Sequence, residues 1–270
     1  MRNTPLHPNI FLEVLSASAP SLNGGSFTLQ FKETPRSTSS ATQQTLDIVE
    51  PSALQNLRLQ LIDPSLDTCG IFARIHLTAL SHLRIDLDDK AGWNMSIYKD
   101  LLSKSRDTLE FLGFLDAPSR EPQRNTMEDP TLIYNLPHSE QDFDGLFSMC
   151  PNLELIQLPI GVHIPQNTAN KIAEGVLLPS LKFVEVSSTI GVDILDMVKR
   201  RNELAYRCTG WIGSSKLDSG KTSTTIYPPF FSALVLHTSA ENRSKVKLAQ
   251  RYLQSSSTSQ ETVVDIRYGN

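Results

Sequence analysis

The segment closest to a known reactive motif is the polar stretch 215–222, SKLDSGKT. A phosphate-binding loop needs Gly-x4-Gly-Lys-Ser/Thr, followed by a helix whose N-terminus faces the phosphates. Gly220, Lys221 and Thr222 match the end of this pattern, but Ser215 stands at its first glycine. The residues that follow, STTIYPPFF, are β-branched and proline-rich rather than helix-forming. We therefore interpret the segment as a polar surface loop, and a nucleotide-binding enzyme is the alternative.

Histidines and cysteines, the common metal ligands and nucleophiles, are too scattered to form a recognisable site. His76 and His82 have no cysteine or carboxylate near them in metal-binding spacing. The three cysteines, Cys69, Cys150 and Cys208, are far apart, and an odd number without close pairs fits neither a disulfide framework nor a zinc site. Serine-hydrolase and dinucleotide-binding glycine motifs are missing too. The sequence predicts a non-catalytic protein without cofactor or metal, in an intracellular compartment, cytoplasmic or nuclear.

Charge and hydropathy argue against several classes of partner. The net charge is −4, from 25 basic and 29 acidic residues that are well mixed. No basic block predicts nucleic-acid binding, and no polybasic stretch predicts membrane binding. No apolar run approaches the roughly 20 residues of a membrane-spanning helix. The N-terminus carries Arg2 and an apolar stretch, as a signal peptide does, but Glu13 interrupts that stretch. Secretion is therefore the less favoured alternative.

A leucine pattern recurs along the chain. The pattern Leu-x-x-Leu-x-apolar occurs in LQNLRL, LSHLRI, LEFLGF and LPSLKF, and CPNLEL repeats it with Cys150 at the first leucine. The second leucines serve as anchors: Leu57, Leu83, Leu112, Leu153 and Leu181. A small, polarisable thiol fits a buried aliphatic position, so Cys150 is predicted to lie in the core.

Helix-like stretches separate the repeated strands, and the strand–helix unit recurs about every 26–29 residues, except for one interval of 41 residues that contains an insertion. Such a period is typical of leucine-rich-repeat solenoids. The predicted fold is a single α/β, leucine-rich-repeat-like solenoid over residues 1–270, with a parallel sheet on one face and helices on the other. The repeats are irregular and clearest in 50–200, with loops near 32–45, 116–138 and 213–228. An ordinary α/β domain with repeated strand–helix units is the alternative.

Residues 50–200 resemble the repeat region of fungal F-box/leucine-rich-repeat-like proteins. The resemblance lies in LFSMCPNLELIQLP and IAEGVLLPSLKFVEV, where CPNLE-x-L-x-L and LPSL-x-x-L-x-V lead into strands, and in LLSKSRDTLEFLGF. It implies the substrate-receiving scaffold of a ubiquitin-ligase complex. No F-box-like helical segment is found ahead of the repeats, so a receptor part without its F-box, a truncated sequence or a free-standing scaffold is expected. A non-functional repeat fragment is a further alternative.

A partner surface is predicted from the alternation of side chains along the strands. If the anchor leucine and the residue two positions later point into the core, the residues after each of them face the concave side of the sheet. Three aliphatic residues in the second of these columns would then anchor a protein partner, with three basic residues of the first column as its polar rim. The predicted partner-binding residues are Arg58, Arg84, Leu115, Ile156, Lys182 and Val184. Burial of the aliphatic residues under a loop or under the 116–138 insertion is the alternative.

Overall fold

The computed structural model describes residues 4–31, 48–62, 67–87, 96–116, 142–159, 162–188, 191–212, 228–255 and 262–269. The chain divides into two compact units, Met1–Asp142 (unit 1) and Phe143–Asn270 (unit 2). The three predicted loops, 32–45, 116–138 and 213–228, lie outside the described residues except for residues 116 and 228.

Unit 1 alternates strands and helices. Its helices are α1 (Pro8–Ser18), α2 (Asp67–Phe72) and α3 (Ser96–Ser103), and its strands are β1 (Gly24–Gln30), β2 (Asn56–Ile62), β3 (His82–Leu87) and β4 (Phe111–Asp116). The strands pair in chain order and every pair is parallel. Parallel neighbours need a crossover between them, which a helix commonly supplies.

Unit 2 has the same alternation. It contains α4 (Phe143–Ser148), β5 (Leu155–Gln157), α5 (Gln166–Ala173), β6 (Phe183–Ser187), α6 (Val192–Ile212), β7 (Ala233–Ser239), a 3-10 turn (Ala240–Asn242), α7 (Arg243–Ser255) and β8 (Val263–Gly269). Its strands also pair in chain order and in parallel. The predicted α/β class with a parallel sheet and helices is confirmed.

Local sequence signals set the ends of several helices. The ring nitrogen Nδ1 of His7 accepts a hydrogen bond from the Asn9 amide at 3.2 Å, and Pro8 follows at the first helical position of α1, where its missing N–H costs nothing. After α5 the chain turns at Gly175, whose φ of 73° is readily adopted by glycine. The Gly175 amide donates to the carbonyl of Ile172 at 3.0 Å, which closes the helix end.

One spacing of buried residues is shared by six strands. Just ahead of each strand lies a buried apolar residue; a second one follows three positions later, within the strand, and a third two positions after that, and all are at most 2% exposed. The first residues of the six sets are Leu54, Leu80, Leu109, Leu153, Leu181 and Phe231. Because side chains alternate along a strand, the second and third residues of each set lie on the same, buried face of the sheet.

A pair of backbone hydrogen bonds that occurs in both units shows independently which residues of the repeats correspond to each other. The carbonyl of Gln55 accepts two bonds of 2.9 Å from the two consecutive amides that lead into β3. The carbonyl of Glu154 likewise accepts bonds of 2.8 and 3.0 Å from the two amides that lead into β6. Gln55 and Glu154 are therefore equivalent, and so are the buried leucines that precede them, Leu54 and Leu153.

The sequence alignment of the repeats is consequently wrong by three residues in unit 2. Leu153 corresponds to Leu54 rather than to Leu57, and Ile156 takes the position of Leu57. Ile156 and Val184 pair in register and are both 0% exposed. The prediction that these two residues face outward is wrong, because they form part of the core of unit 2.

Cys150 lies in the core, as predicted, although the corrected alignment places it three residues ahead of Leu153, the counterpart of Leu54, rather than at the position of Leu54. Its exposure is 1%, and it forms no disulfide with another cysteine of the described residues. A cysteine at this position contributes packing surface as a small apolar side chain.

Candidate protein-interaction site

Three charged side chains form a cluster on the outward face of the unit 1 sheet, the face that is opposite to the buried leucines. Arg58 and Arg84 lie directly opposite each other on β2 and β3. Nε of Arg58 donates to Oδ2 of Asp86 at 2.7 Å, and Nε of Arg84 donates to Oδ1 of Asp86 at 2.8 Å. One carboxylate therefore holds two guanidinium groups, and we call these three residues the arginine cluster.

The arginine cluster is buried at its carboxylate and open at its cations. The Asp86 side chain is 4% exposed, whereas those of Arg58 and Arg84 are 48% and 40% exposed. Arg58 also directs Nη2 to Oδ2 of Asp86 at 2.5 Å, so its guanidinium is engaged through two nitrogens. Arg84 is engaged through Nε, and its two terminal nitrogens have no hydrogen-bond partner among the described residues. Two cations and one anion leave the cluster with a net positive charge.

An open groove of about 490 Å³ runs beside the arginine cluster, and we call it the sheet groove. Its lining includes Gly24, Ser26, Asn56, His82, Arg84 and Phe111. Four of these residues occupy paired positions on the four neighbouring strands of unit 1, so the groove runs across the strands. The His82 and Phe111 rings stack with centroids 5.8 Å apart and an interplanar angle of 19°, which gives the groove an aromatic wall.

The alternating sequence of β3, HLRIDL, explains how these groups reach the outward face. Leu83, Ile85 and Leu87 are buried at 0 to 1% exposure, so His82, Arg84 and Asp86 must point the other way. Leu115 pairs in register with Asp86 on the neighbouring strand and is half-buried. The structure thus brings three of the predicted residues, Arg58, Arg84 and Leu115, onto adjacent strands of one face.

In unit 2 the outward face carries a different apolar row. It begins at Leu155, which pairs with Phe183, and continues through Ala233 to Val263. The first three are half-buried and Val263 is 66% exposed. The predicted rim residue Lys182 is exposed on this unit and pairs with Glu154 at 2.6 Å. The aliphatic row that the sequence placed at Ile156 and Val184 therefore lies one residue away along each strand.

A polar cluster follows this row along the same strands. Glu185 accepts from Nε2 of Gln157 at 2.7 Å and from Nη1 of Arg267 at 3.2 Å, and its Oε1 lies 3.0 Å from Nε2 of His237. The hydrogen bond with His237 is the main cause that lowers the pKa of Glu185, and the bond from Gln157 and the charges of His237 and Arg267 act in the same direction. Burial opposes them but is outweighed. Glu185 is therefore ionised at neutral pH.

Sequence reasoning missed the most buried cation of the chain's described part, Arg201 on α6. Its exposure is 0%, and its guanidinium donates to backbone carbonyls of Ile172 (2.7 Å), Leu178 (3.0 Å) and Pro179 (2.7 Å). Burial lowers the pKa of Arg201 to about 10, so it stays charged at neutral pH. In the sequence KRRNEL it resembles an ordinary basic turn at the surface, and no local signal separates it from Arg200.

The loop with the incomplete phosphate-binding pattern, 215–222 with Lys221, lies outside the described residues. Within the described ranges, no group of three or more His, Cys, Asp or Glu side chains is arranged to hold a metal ion. Among the helices described, none is long and apolar enough to span a membrane. No family model matches the chain, and neither the curated proteins nor the solved structures give a match.

Proposed function

We propose that this chain is a non-catalytic scaffold that binds a protein partner on the outward face of the unit 1 sheet. The observation that carries the proposal is the arginine cluster at the edge of the sheet groove. Arginine is enriched in protein interfaces because its planar guanidinium combines hydrogen bonding with stacking. Here a nearly buried carboxylate fixes two half-exposed guanidinium groups in place, so a partner would meet cations that are already ordered.

The proposed architecture behind this surface is an irregular, leucine-rich-repeat-like solenoid. The spacing of buried residues that six strands share supports it, and so does the chain order of the parallel strands within each unit. In a solenoid each strand–helix repeat buries its apolar face against its neighbours, which leaves one face of the sheet free for binding.

A narrower form of the proposal is substrate recognition in an F-box-type ubiquitin-ligase receptor. It rests on the resemblance of CPNLELIQLP and LPSLKFVEV to the repeats of fungal F-box/leucine-rich-repeat-like proteins. In this form the sheet groove binds the protein to be ubiquitinated, and another module connects the scaffold to the ligase. Ubiquitin-ligase subunits would then be recovered together with the chain.

The experiment is affinity capture from native cells with three versions of the full chain. Ser26→Trp fills the sheet groove, since Ser26 is exposed and lines it. Ser244→Trp places the same bulk on the exposed surface of α7 and is the matched control. Mass spectrometry should identify proteins recovered by the wild type and by Ser244→Trp but lost with Ser26→Trp. Equal recovery by all three versions would contradict the proposal.

A further inference from the structure

We propose that the sheet groove binds a short peptide segment that carries an Asp or Glu carboxylate beside an apolar side chain, with Arg84 as the residue that binds the carboxylate. This inference rests on the proposed function, because it names the chemistry of the partner segment that the scaffold recognises. Its basis is the unequal engagement of the two arginines and the chemistry of the groove walls.

One guanidinium of the arginine cluster, that of Arg84, keeps two terminal N–H donor groups available for a ligand. Arg58 already binds Asp86 through Nε and Nη2, whereas Arg84 binds it through Nε alone. Within the described part of the chain, the two terminal nitrogens of Arg84 are therefore free to donate to a ligand, and its side chain is 40% exposed. Two parallel N–H donors match the two oxygens of a carboxylate.

The net charge of the arginine cluster also favours a carboxylate over a phosphate group. Two guanidinium groups and one carboxylate leave a single positive charge, which one carboxylate neutralises. A phosphate monoester carries a charge of about −1.5 to −2 at neutral pH and has three acceptor oxygens. The Asp86 carboxylate would repel this larger negative charge, and Arg58 is already bound to Asp86 through two nitrogens and offers no second pair of free donors. The site is therefore better matched to the single charge of a carboxylate.

The dimensions of the sheet groove fit a peptide rather than an isolated acid. The paired positions Gly24, Asn56, His82 and Phe111 cross four strands. At a strand separation of about 4.8 Å, this row is about 14 Å long, which is the length of about four extended residues. The stacked His82 and Phe111 rings offer an apolar wall near the arginine cluster. A side chain next to the bound carboxylate would pack against these rings.

Two substitutions in the arginine cluster should change affinity in opposite directions. Arg84→Gln removes the open fork and should weaken peptide binding about tenfold or more. Asp86→Asn removes the competing negative charge but keeps an amide oxygen that can still accept from the arginines; because the relief of repulsion should outweigh the weaker ordering of the guanidinium groups, binding should strengthen about threefold at low salt. If the arginine cluster served folding alone, both variants would weaken binding. Arg207→Gln, at an exposed position on α6, is the matched control and should leave affinity unchanged.

The test uses the full chain and an immobilised library of random octapeptides, with a second library that contains phosphoserine. Peptides selected by the wild type should share an Asp or Glu next to an apolar residue. Fluorescence anisotropy measures the affinity of each variant for these peptides. Affinity should be highest for Asp86→Asn, intermediate for the wild type and lowest for Arg84→Gln, and it should fall with added salt. Circular dichroism and thermal melts of each variant confirm that the fold is intact.

Failure of this inference can be told apart from failure of the proposed function. Preference for phosphoserine peptides, or competition by inorganic phosphate at lower concentration than by acetate, would overturn the carboxylate assignment. Neutral peptides that bind the wild type but not Ser26→Trp would overturn it as well and leave the scaffold function standing. If no peptide binds while Ser26→Trp still loses its captured proteins, the peptide inference alone fails. If no peptide binds and capture is also unaffected, both proposals fail.

Discussion

Among the described polar residues of unit 2, Arg201 is the one whose replacement should lower the free energy of unfolding most. It crosses from α6 to the end of α5 and to the turn after it, where it donates to three carbonyl oxygens within 3.0 Å and to that of Pro229 at 3.4 Å. Its guanidinium also lies over the Phe231 ring, 5.4 Å from the centroid. One of its acceptors belongs to Leu178, whose φ of 49° is in the left-handed region. Such a backbone costs about 1–2 kcal/mol, so the turn depends on its contacts.

The effect of Arg201→Met can be estimated from these contacts. Leaving one buried carbonyl without a donor costs about 1–3 kcal/mol, and three carbonyls have short bonds to Arg201. Methionine fills much of the space and removes a buried charge, which offsets part of the loss. We expect a net loss of about 3 kcal/mol in the free energy of unfolding. With a urea dependence of about 1–3 kcal/mol/M, the midpoint should fall by about 1–3 M.

The matched control is the neighbouring residue on the same helix. Arg200 donates to Asn170 at 2.7 Å and to Glu174 at 3.3 Å, and its side chain is 41% exposed. Exposed ion pairs contribute about 0–1 kcal/mol, so Arg200→Met should shift the urea midpoint little. Urea unfolding followed by far-UV circular dichroism measures both variants. Equal midpoints for Arg201→Met and Arg200→Met would refute the claim that the hydrogen bonds from buried Arg201 to backbone carbonyls stabilise the fold.

Three further predictions concern unit 2. The folded pKa of Glu185 lies below its unfolded value near 4.5, so its contribution to stability is present above that pH and is lost as the pH falls through the lowered value. In urea melts, the destabilisation by Glu185→Gln should therefore disappear on acidification, and a constant difference from pH 7 to pH 3 would argue against it. Cys150→Leu should change stability by less than about 1.5 kcal/mol, whereas Cys150→Asp should cost several kcal/mol, about 3–5. Native-state labelling should leave the Cys150 thiol intact, and its rapid modification would contradict core burial. Ile156→Asp should lower stability by about 3–5 kcal/mol, while Leu155→Asp next to it should cost about 1 kcal/mol or less. Thermal melts compare the two, and the reverse order would restore the alignment that the structure corrects.

Much of the alternation of strands and helices was predictable because many elements carry a local signal. The alternation in HLRIDL and the spacing of Phe143, Leu146 and Phe147 need no distant residues to be interpreted. The burial of Cys150 was predicted correctly, but from an alignment that placed it at the position of Leu54. In the structure its counterparts are the buried Leu77 and Leu178, which also precede the first leucine of their sets by three residues. The local signals also placed Arg58 and Arg84 on one outward column, as the structure has them.

The phase of the unit 2 repeats was not predictable from the leucine pattern alone. In CPNLELIQL, apolar residues occupy positions 153, 155, 156 and 158, so two alignments satisfy the same spacing rule. Tertiary packing decides between them, because Ile156 rather than Leu155 is buried. Arg201 was missed for a related reason: its acceptors are backbone carbonyls far along the chain, which leave no trace in side-chain patterns.

Site-specific photocrosslinking tests the central claim most directly, that the outward face of the unit 1 sheet contacts a protein partner. A photoreactive amino acid would replace Asn56, which is exposed and lines the sheet groove, and Lys247 on α7 would be the control position. Irradiation in native cells should yield a discrete crosslinked protein from position 56, and Arg84→Gln in the same chain should reduce its amount. Position 247 should not yield that protein. The same crosslinked protein from both positions, or none from position 56, would contradict the account.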